Sequence, residues 1–377
     1  MSDHDLKCAG RDAITRRTFL ASLLATIASA CAGPTHSGSA KRQQELLSES
    51  ADLYRNVVVD FHAHPGEFAG RLMFPGASRE LSSVLADMKE ARVDAAVFSF
   101  PADRPLIASD PKTGLQGQVR EPKPGELFSI TQAHFDKALS EMKPMIALSP
   151  ADIITFKQQG APCAILGLEG ADPLEGDLSR VKLFYDRGIR VMQLVHYRVG
   201  EIGDIMTEPP RQGGLTPFGA GVVRECNRLG LLLDVAHAHT ETVRRVLAET
   251  QHPIIDSHTR PSAQFQHPRS RSDDELRAVA KNGGVIAIWP FARESRGETF
   301  QGFLTSIDHV KRVAGVDHVG IGTDINGMGP NSVVGTYKEF PLIPAGLLSH
   351  GYSEGDVAKI MGGNFMRVFR EVTDNRD

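Results

Sequence analysis

The hydrophobic pattern of the chain changes after residue 55, where short apolar runs begin to alternate with amphipathic stretches. Most of these runs are nearly continuous, which is typical of parallel strands that are buried on both faces. The pattern predicts strands over residues 56–62, 94–100, 163–169, 189–196, 231–237, 253–258, 284–289 and 318–324.

The stretches between these runs carry helical periodicity and helix-start signals. Apolar positions recur at helical spacing within residues 80–91, 128–142, 216–229 and 240–249. Ser272 and Glu275 have the spacing of a capping box, which predicts a further helix start. Eight strand–helix units predict an α/β protein with the TIM (β/α)8 barrel fold, and we assign residues 51–377 to this barrel domain.

The first thirty residues carry a paired arginine and a short apolar run, a pattern that predicts an export signal. Arg16 and Arg17 precede an uncharged run over residues 19–30. That run is too short to cross a bilayer as a helix, which takes about 20 residues. A pair of arginines before a short apolar run indicates a twin-arginine signal peptide over residues 1–30.

The segment that follows the signal suggests an anchor and a tether. Residues 28–31 read Ala-Ser-Ala-Cys and resemble a bacterial lipobox, which would make Cys31 the lipidated first residue of the mature protein. Ordinary signal-peptidase cleavage near Ala30 is the alternative. Residues 31–50 include a stretch rich in Ser, Gly, Lys and Gln, which predicts a flexible tether. We therefore expect an exported bacterial protein, either periplasmic or a membrane-anchored lipoprotein.

Composition and charge narrow the class of protein further. The chain has 42 Lys plus Arg against 46 Asp plus Glu, so the small net charge of −4 gives no reason to propose a nucleic-acid partner. Only four cysteines occur in 377 residues, which excludes a disulfide-dense scaffold. We expect Cys163 and Cys226 to be buried free thiols. In an oxidising compartment a disulfide between them is the alternative.

Polar residues of metal-ligand type fall at the ends of the predicted strands. In a TIM barrel the carboxyl ends of the strands line the active-site face, so these side chains should converge on one pocket. His62 and His64 are two residues apart and share one side of an extended strand, which lets both reach one ion. Six predicted strands end in such a residue: His62, Glu169, His196, His237, His258 and Asp324.

Two arginines follow the sixth predicted strand, within the segment His-Pro-Arg-Ser-Arg of residues 267–271. Arg269 and Arg271 have two readings. Either could belong to a structural ion pair or a solvated loop, and either could bind a substrate carboxylate at the pocket mouth.

Several motifs together resemble the membrane (renal-type) dipeptidases of the amidohydrolase superfamily, peptidase family M19. The similarity covers roughly residues 55–372 and includes Gly-Leu-Thr-Pro-Phe-Gly at 214–219 and Gly-Ile-Gly-Thr-Asp at 320–324. The other matching segments are residues 222–230, 234–237, 256–258, 267–269, 283–286 and 351–369. This family is a (β/α)8 barrel that hydrolyses dipeptides at a binuclear zinc site.

The resemblance implies a role for each matched residue. His62 and His64 would bind the more buried zinc ion, Glu169 would bridge both ions, and His237 and His258 would bind the second. His196 would polarise the scissile carbonyl, and Arg269 would hold the C-terminal carboxylate of the substrate. Asp324 would lie near the substrate amine and the metal-bound water. There it would position the hydroxide that bridges the two ions and shuttle its proton to the leaving amine.

Three departures from the family pattern concern the substrate more than the reaction. The second residue of the first strand motif is usually Asp but is His64 here, which raises the charge of the site by one and should weaken retention of that ion. Asn326 stands where the family often has a second Asp. The loop over residues 197–212 lacks the expected Asn-rich run.

Two other functions stay open from the sequence. One is an exported amidohydrolase of the same family that acts on a specialised amide, for example in the maturation of a secreted peptide or siderophore. The other is a lipid-anchored protein that binds small peptides without catalysis. The sequence also leaves the choice between a monomer and a homodimer open.

Overall fold

The computed structural model describes residues 56–66, 79–110, 112, 115–292, 298–328 and 331–376. The predicted signal over residues 1–30 and the predicted tether over residues 31–50, with Cys31, lie outside the described residues and stay predictions. None of the helices in the described part is long and apolar enough to cross a membrane.

Eight parallel strands form a nearly closed barrel in which the ring order follows the chain order. The ring closes between its first and last strands, where Ala63 bridges to Ile325 and the His64 amide donates to the Ile325 carbonyl at 2.9 Å. The predicted TIM-barrel fold is therefore confirmed. The strands are β1 (Val59–Ala63), β2 (Ala95–Pro101), β3 (Cys163–Glu169), β4 (Ile189–Gln193), β5 (Leu232–Asp234), β6 (Ile255–Pro261), β7 (Val285–Ile288) and β8 (Val319–Ile321).

Helices surround the strands, and those predicted over residues 80–91, 128–142, 216–229 and 240–249 fall within two residues of the observed bounds. The other helices, apart from the one that starts after Ser272, were not predicted. The Ser272 hydroxyl accepts the Glu275 amide while the Glu275 carboxylate accepts the Ser272 amide, so the predicted capping box forms. The helices are α1 (Leu81–Ala91), α2 (Glu126–Met142), α3 (Pro150–Gln158), α4 (Ser179–Asp186), α5 (Pro217–Leu229), α6 (Thr240–Glu249), α7 (Asp273–Lys281), α8 (Phe300–Ala314), α9 (Leu342–Ser349), α10 (Glu354–Ala358) and α11 (Asn364–Asp374).

The last helix covers the N-terminal end of the barrel. Phe365 of α11 packs edge-on against Phe61 of β1, with ring centroids 5.0 Å apart. The Asn364 side chain donates to the carbonyls of Val316 and Val319 at the start of β8. Apolar side chains of α11 and the strands fill this end of the barrel. The pocket lies at the opposite, C-terminal end of the strands.

The long connection between β2 and β3 holds more structure than the predicted single helix. A short antiparallel hairpin (Ile107–Ser109 and Gln116–Gln118) precedes α2, and α3 follows it. A further two-residue strand, Ser270–Arg271, pairs with β6. Cys163 in β3 and Cys226 in α5 are both buried free thiols, as expected.

Candidate metal centre and active site

The metal-type side chains converge on one carboxylate at the C-terminal end of the barrel. Oxygen Oε1 of Glu169, the last residue of β3, lies 3.4 Å from Nε2 of both His62 and His196. The same oxygen lies 3.5 Å from His237 Nε2 and 3.7 Å from His258 Nε2. Four imidazole nitrogens therefore point at one buried carboxylate oxygen.

His64 approaches the other oxygen of the same carboxylate. Its Nε2 lies 3.6 Å from Glu169 Oε2 and 3.0 Å from Asp324 Oδ1. Its Nδ1 faces the carbonyl of Ser99 at 2.9 Å, and a carbonyl can only accept. The proton of a neutral His64 is therefore held on Nδ1, which leaves Nε2 free to bind a metal ion.

The donor set suits a metal ion by its geometry and its chemistry. Three groups of ligand atoms lie within 4.8 Å of one another: His62–Glu169–His258, His62–His64–Asp324 and Glu169–His196–His237. Among the described residues, His62 Nε2 and Glu169 Oε2 are buried without a hydrogen-bond partner, which is costly unless a ligand satisfies them. Imidazole and carboxylate donors are those that zinc prefers.

Burial and neighbouring charge set the protonation of these ligands. Burial, followed by the positive charges of Arg269 and His196, holds the pKa of His237 well below its ordinary value. Burial, followed by His62 and Arg269, does the same to the pKa of His258. Their Nε2 atoms are 3.0 Å apart, and both rings are neutral at neutral pH, so their lone pairs are available to a metal.

For Glu169 and His64, the neighbouring charges outweigh the effect of burial on the pKa. Burial alone would raise the pKa of Glu169, but the imidazoles of His196 and His62 hold it well below its ordinary value. Burial by itself would lower the pKa of His64, yet the hydrogen bond that its Nε2–H donates to Asp324, with the charge of Glu169, raises this pKa to about 9. Glu169 is thus an anion, whereas His64 carries a proton that a metal ion must displace.

Four candidate ligands that were predicted at the last position of a strand lie elsewhere in the backbone. His196, His237 and Asp324 lie beyond the ends of β4, β5 and β8, and His258 lies inside β6. His237 and Asp324 have left-handed backbones, with φ of 68° and 54°. At these two residues the backbone leaves the strand in a turn, whereas His62, Glu169 and His258 reach the same cluster from within their strands.

Asp103, which was not predicted as a site residue from the sequence, orients His196. Asp103 is fully buried after β2, and its Oδ1 lies 2.6 Å from His196 Nδ1. Burial would lower the pKa of His196, but the charges of Asp103 and Glu169 raise it. The only signal in the sequence was one more acidic residue just past a predicted strand end.

The structure separates the two arginines that the sequence left equivalent. Arg271 is a structural residue, because its Nε lies 2.6 Å from Asp256 Oδ2 and its guanidinium also donates to Glu275. Arg269 is 2% exposed and lines the pocket beside Glu169. Its Nη2 donates to the His258 carbonyl at 3.0 Å, and none of the described acidic residues forms an ion pair with it.

The departures from the family pattern have visible local roles. The Asn326 amide donates to the His64 carbonyl at 2.9 Å, so this residue supports the turn after β8. In the loop after β4, Asp204 accepts the backbone amides of Arg211, Gln212 and Gly214. At Gly327 a β-carbon would lie 2.0 Å from Asp324 Oδ1, so glycine keeps this side of the site open.

The pocket above the cluster has a volume of about 140 Å³, and both polar and aromatic side chains line it. The polar ones include Gln116, Thr207 and Asn331. The aromatic ones include Trp289 and Phe291, which were not predicted from the sequence.

Comparisons with known proteins agree with this site. The family model of the membrane dipeptidases, peptidase family M19, matches residues 85–377. A dipeptidase of Claviceps purpurea is 32% identical over 230 residues, 59% of this chain and 54% of that protein. Dipeptidase 3 of Homo sapiens is 32% identical over 229 residues, 56% of this chain and 46% of that protein. The chain thus spans about half the length of these curated relatives.

A solved structure supports the fold independently. The metallopeptidase dipeptidase AC, of family M19, superposes with a TM-score of 0.73 at 22% identity, over 84% of this chain and 99% of that chain. At this identity the similarity concerns the barrel alone. Together with the family match over most of the sequence, these findings establish that the chain belongs to the membrane dipeptidase family, peptidase family M19.

Proposed function

We propose that this protein is a zinc-dependent hydrolase that cleaves the peptide bond of dipeptides at a binuclear site. The observation that carries the proposal is the position of Glu169, which is surrounded by five histidines and lies in the same pocket as the buried guanidinium of Arg269. A metal centre beside a carboxylate-binding group is what hydrolysis of a short peptide with a free C-terminus requires.

By the family pattern, His62 and His64 would hold one zinc ion, His237 and His258 the other, and Glu169 would be shared. The proximity of His62, His64 and Asp324 and the 3.0 Å between Nε2 of His237 and Nε2 of His258 support this division, although His258 also lies close to His62. When bound, the two ions supply Lewis acidity toward water and toward the scissile carbonyl.

The remaining side chains bind the substrate and move protons. Arg269 pairs with the C-terminal carboxylate through a fixed, planar guanidinium. His196 is oriented by Asp103, and against the effect of burial the charges of Asp103 and Glu169 raise its pKa. It would donate from Nε2 to the negative charge that develops on the carbonyl oxygen. Asp324 would position the attacking hydroxide and, once the bond to the carbonyl carbon has formed, carry its proton to the leaving amine.

A panel of dipeptides tests the proposal on zinc-loaded protein. We expect turnover of at least some dipeptides, near two zinc ions per chain, and a loss of at least about a hundredfold in kcat for Glu169→Gln. Arg269→Ala should raise KM about a hundredfold, since a buried charged hydrogen bond is lost, while exposed Arg277→Ala serves as the control. Absence of turnover on every dipeptide with zinc bound would refute the proposal.

Two features favour a second candidate, a family hydrolase that acts on a specialised amide. His64 and Asn326 both replace the acidic residues usual in the family, and both lie beside Asp324. A zinc-loaded protein that ignores all dipeptides but hydrolyses N-acyl amino acids or longer amides would support this candidate. Fewer than one zinc ion per chain would instead support the non-catalytic binding protein.

We also propose that the protein is exported through residues 1–30 and anchored through Cys31. The Arg16–Arg17 pair and the following Ala-Ser-Ala-Cys sequence support this proposal. A Cys31→Ala protein recovered from the soluble periplasmic fraction, beside a membrane-bound wild type, would agree with it.

A further inference from the structure

One wall of the pocket is a cluster of rings that no ligand role explains. Trp289 and Phe291 stack with centroids 4.4 Å apart, and His267 packs against both at 6.1 and 5.6 Å. Phe265 and Met328 complete an apolar cluster that is separate from the barrel core. This cluster, which we call the aromatic wall, lies on the segments that follow β6, β7 and β8.

The aromatic wall begins beside the carboxylate-binding arginine. The guanidinium carbon of Arg269 lies 5.1 Å from the Trp289 ring centroid, within the range of a cation–π contact. The Trp289 ring also lies 6.1 Å from that of His258, one of the proposed metal ligands. Trp289 therefore stands next to both groups that would hold the C-terminal half of a dipeptide.

This placement restricts where a substrate side chain can go. The scissile carbonyl would lie at the metal centre and the carboxylate at Arg269, so the Cα of the C-terminal residue lies between them. Trp289, Phe291 and Met328 line the pocket beside these two positions, so the aromatic wall is within reach of that side chain. Large rings in contact with a ligand contribute affinity through buried apolar area and edge or stacking contacts.

We propose that the aromatic wall is the binding site for the side chain of the carboxyl-terminal residue, and that it selects dipeptides ending in a bulky apolar or aromatic residue. The inference rests on the proposed dipeptide hydrolysis and names the substrate class of that site. It assigns Trp289 and Phe291 as specificity-determining residues.

The chain contains a single tryptophan, Trp289, so its fluorescence reports directly on this wall. Zinc-loaded protein is titrated with N-acetylphenylalanine and with N-acetylalanine, each in L and D form. We expect the tighter phenylalanine enantiomer to bind at least about tenfold more tightly than the tighter alanine enantiomer, with a change in Trp289 emission. N-acetylphenylalanine amide, which lacks the carboxylate, should bind much more weakly than the acid.

Matched variants separate the wall from general effects of losing a ring. Phe291→Ala should reduce the ratio of the two affinities to below threefold, by calorimetry, whereas Phe128→Ala on the outer helix α2 should keep it. Phe291→Leu provides the same comparison if the alanine variant does not fold. Equal affinities for the two acids in the wild type, or no saturable binding of either, would overturn the proposal.

Turnover of the dipeptide panel is measured separately, so that the two proposals can fail independently. Tight N-acetylphenylalanine binding without dipeptide turnover leaves the aromatic wall in place and removes the proposed hydrolysis. Turnover that is equal for dipeptides ending in Phe and in Ala leaves the hydrolysis and removes the selectivity.

Discussion

The side chain at position 64 fixes the charge of the metal cluster. His64 is 1% exposed, contacts both Asp324 and Glu169, and carries a proton in the absence of metal. An aspartate there would add a negative charge to the site and would leave no imidazole proton for the metal to displace. Histidine in place of aspartate at position 64 should therefore change how tightly a metal ion is held more than it changes the catalytic step.

His64→Asp should increase zinc affinity by about tenfold or more, the equivalent of one pKa unit of added electrostatic stabilisation. Competition with a chromophoric chelator measures the affinity of each ion at fixed pH. Asn326→Asp is a matched control, because it adds the same charge two residues beyond Asp324 without entering the ligand set. An unchanged or lower affinity for His64→Asp would contradict the prediction.

One buried arginine connects a strand, a helix and a turn at the C-terminal face of the barrel. Arg271 is 1% exposed and pairs with Asp256 of β6 and Glu275 of α7. It also donates to the carbonyls of Val235 and Ala238, which follow β5 on either side of His237. Its guanidinium thereby holds the turn that presents a proposed metal ligand.

Arg271→Ala should lower the free energy of unfolding by about 3–5 kcal/mol, because it leaves the Asp256 carboxylate buried without its partner. Urea denaturation of the zinc-loaded protein measures the change. Arg277→Ala, which alters an exposed ion pair on the same helix, should stay within about 0.5 kcal/mol of wild type. A loss below about 1 kcal/mol for Arg271→Ala would show that the bridge is not structural.

The comparison of elements also shows what the sequence could predict. All eight strands were predicted because buried parallel strands are continuous apolar runs, a signal that is local. The hairpin of Ile107–Ser109 and Gln116–Gln118 was not, because its strands are three residues long and half are polar. The left-handed turns at His237 and Asp324 were also missed, since non-glycine residues give no local sign of them.

The same division applies to the site. The side chains that meet at Glu169 could be picked out from the sequence because each follows or lies in a strand with a recognisable apolar run; that they bind metal stays a prediction. Asp103 and the aromatic wall were not, because their importance depends on which distant side chains they meet. Arg269 and Arg271 are only two residues apart, and nothing short of tertiary contacts separates their roles.

For the whole molecule, the barrel interior makes stability depend on pH. Asp234 of β5 is 1% exposed, and burial raises its pKa from 3.8 to about 6, although it accepts the amides of Ala236 and Ser257. The folded state then binds this proton more tightly than the unfolded state. The resulting stability is fully present below pH 3.8 and is lost as the pH rises through 6.

The wild type should therefore lose about 3 kcal/mol of unfolding free energy relative to Asp234→Asn as this group ionises. Asparagine keeps an oxygen for the two amides but does not titrate, so the difference between the two proteins isolates Asp234. Between pH 5 and pH 8 about 1.4 kcal/mol of the loss should appear in urea titrations at one zinc concentration. A difference that is constant or moves in the wild type's favour with rising pH would disprove the assignment.

The seam that closes the barrel is also part of the proposed metal site. His64 follows the first strand and Asp324 the last, and their side chains meet across 260 residues of sequence. A ribosome must therefore complete nearly the entire barrel before the ligand set exists, so metal uptake is a late event in the life of each molecule. Separation of the first and last strands would pull the ligand set apart, so the rate at which a bound metal ion is released would report how often this seam opens.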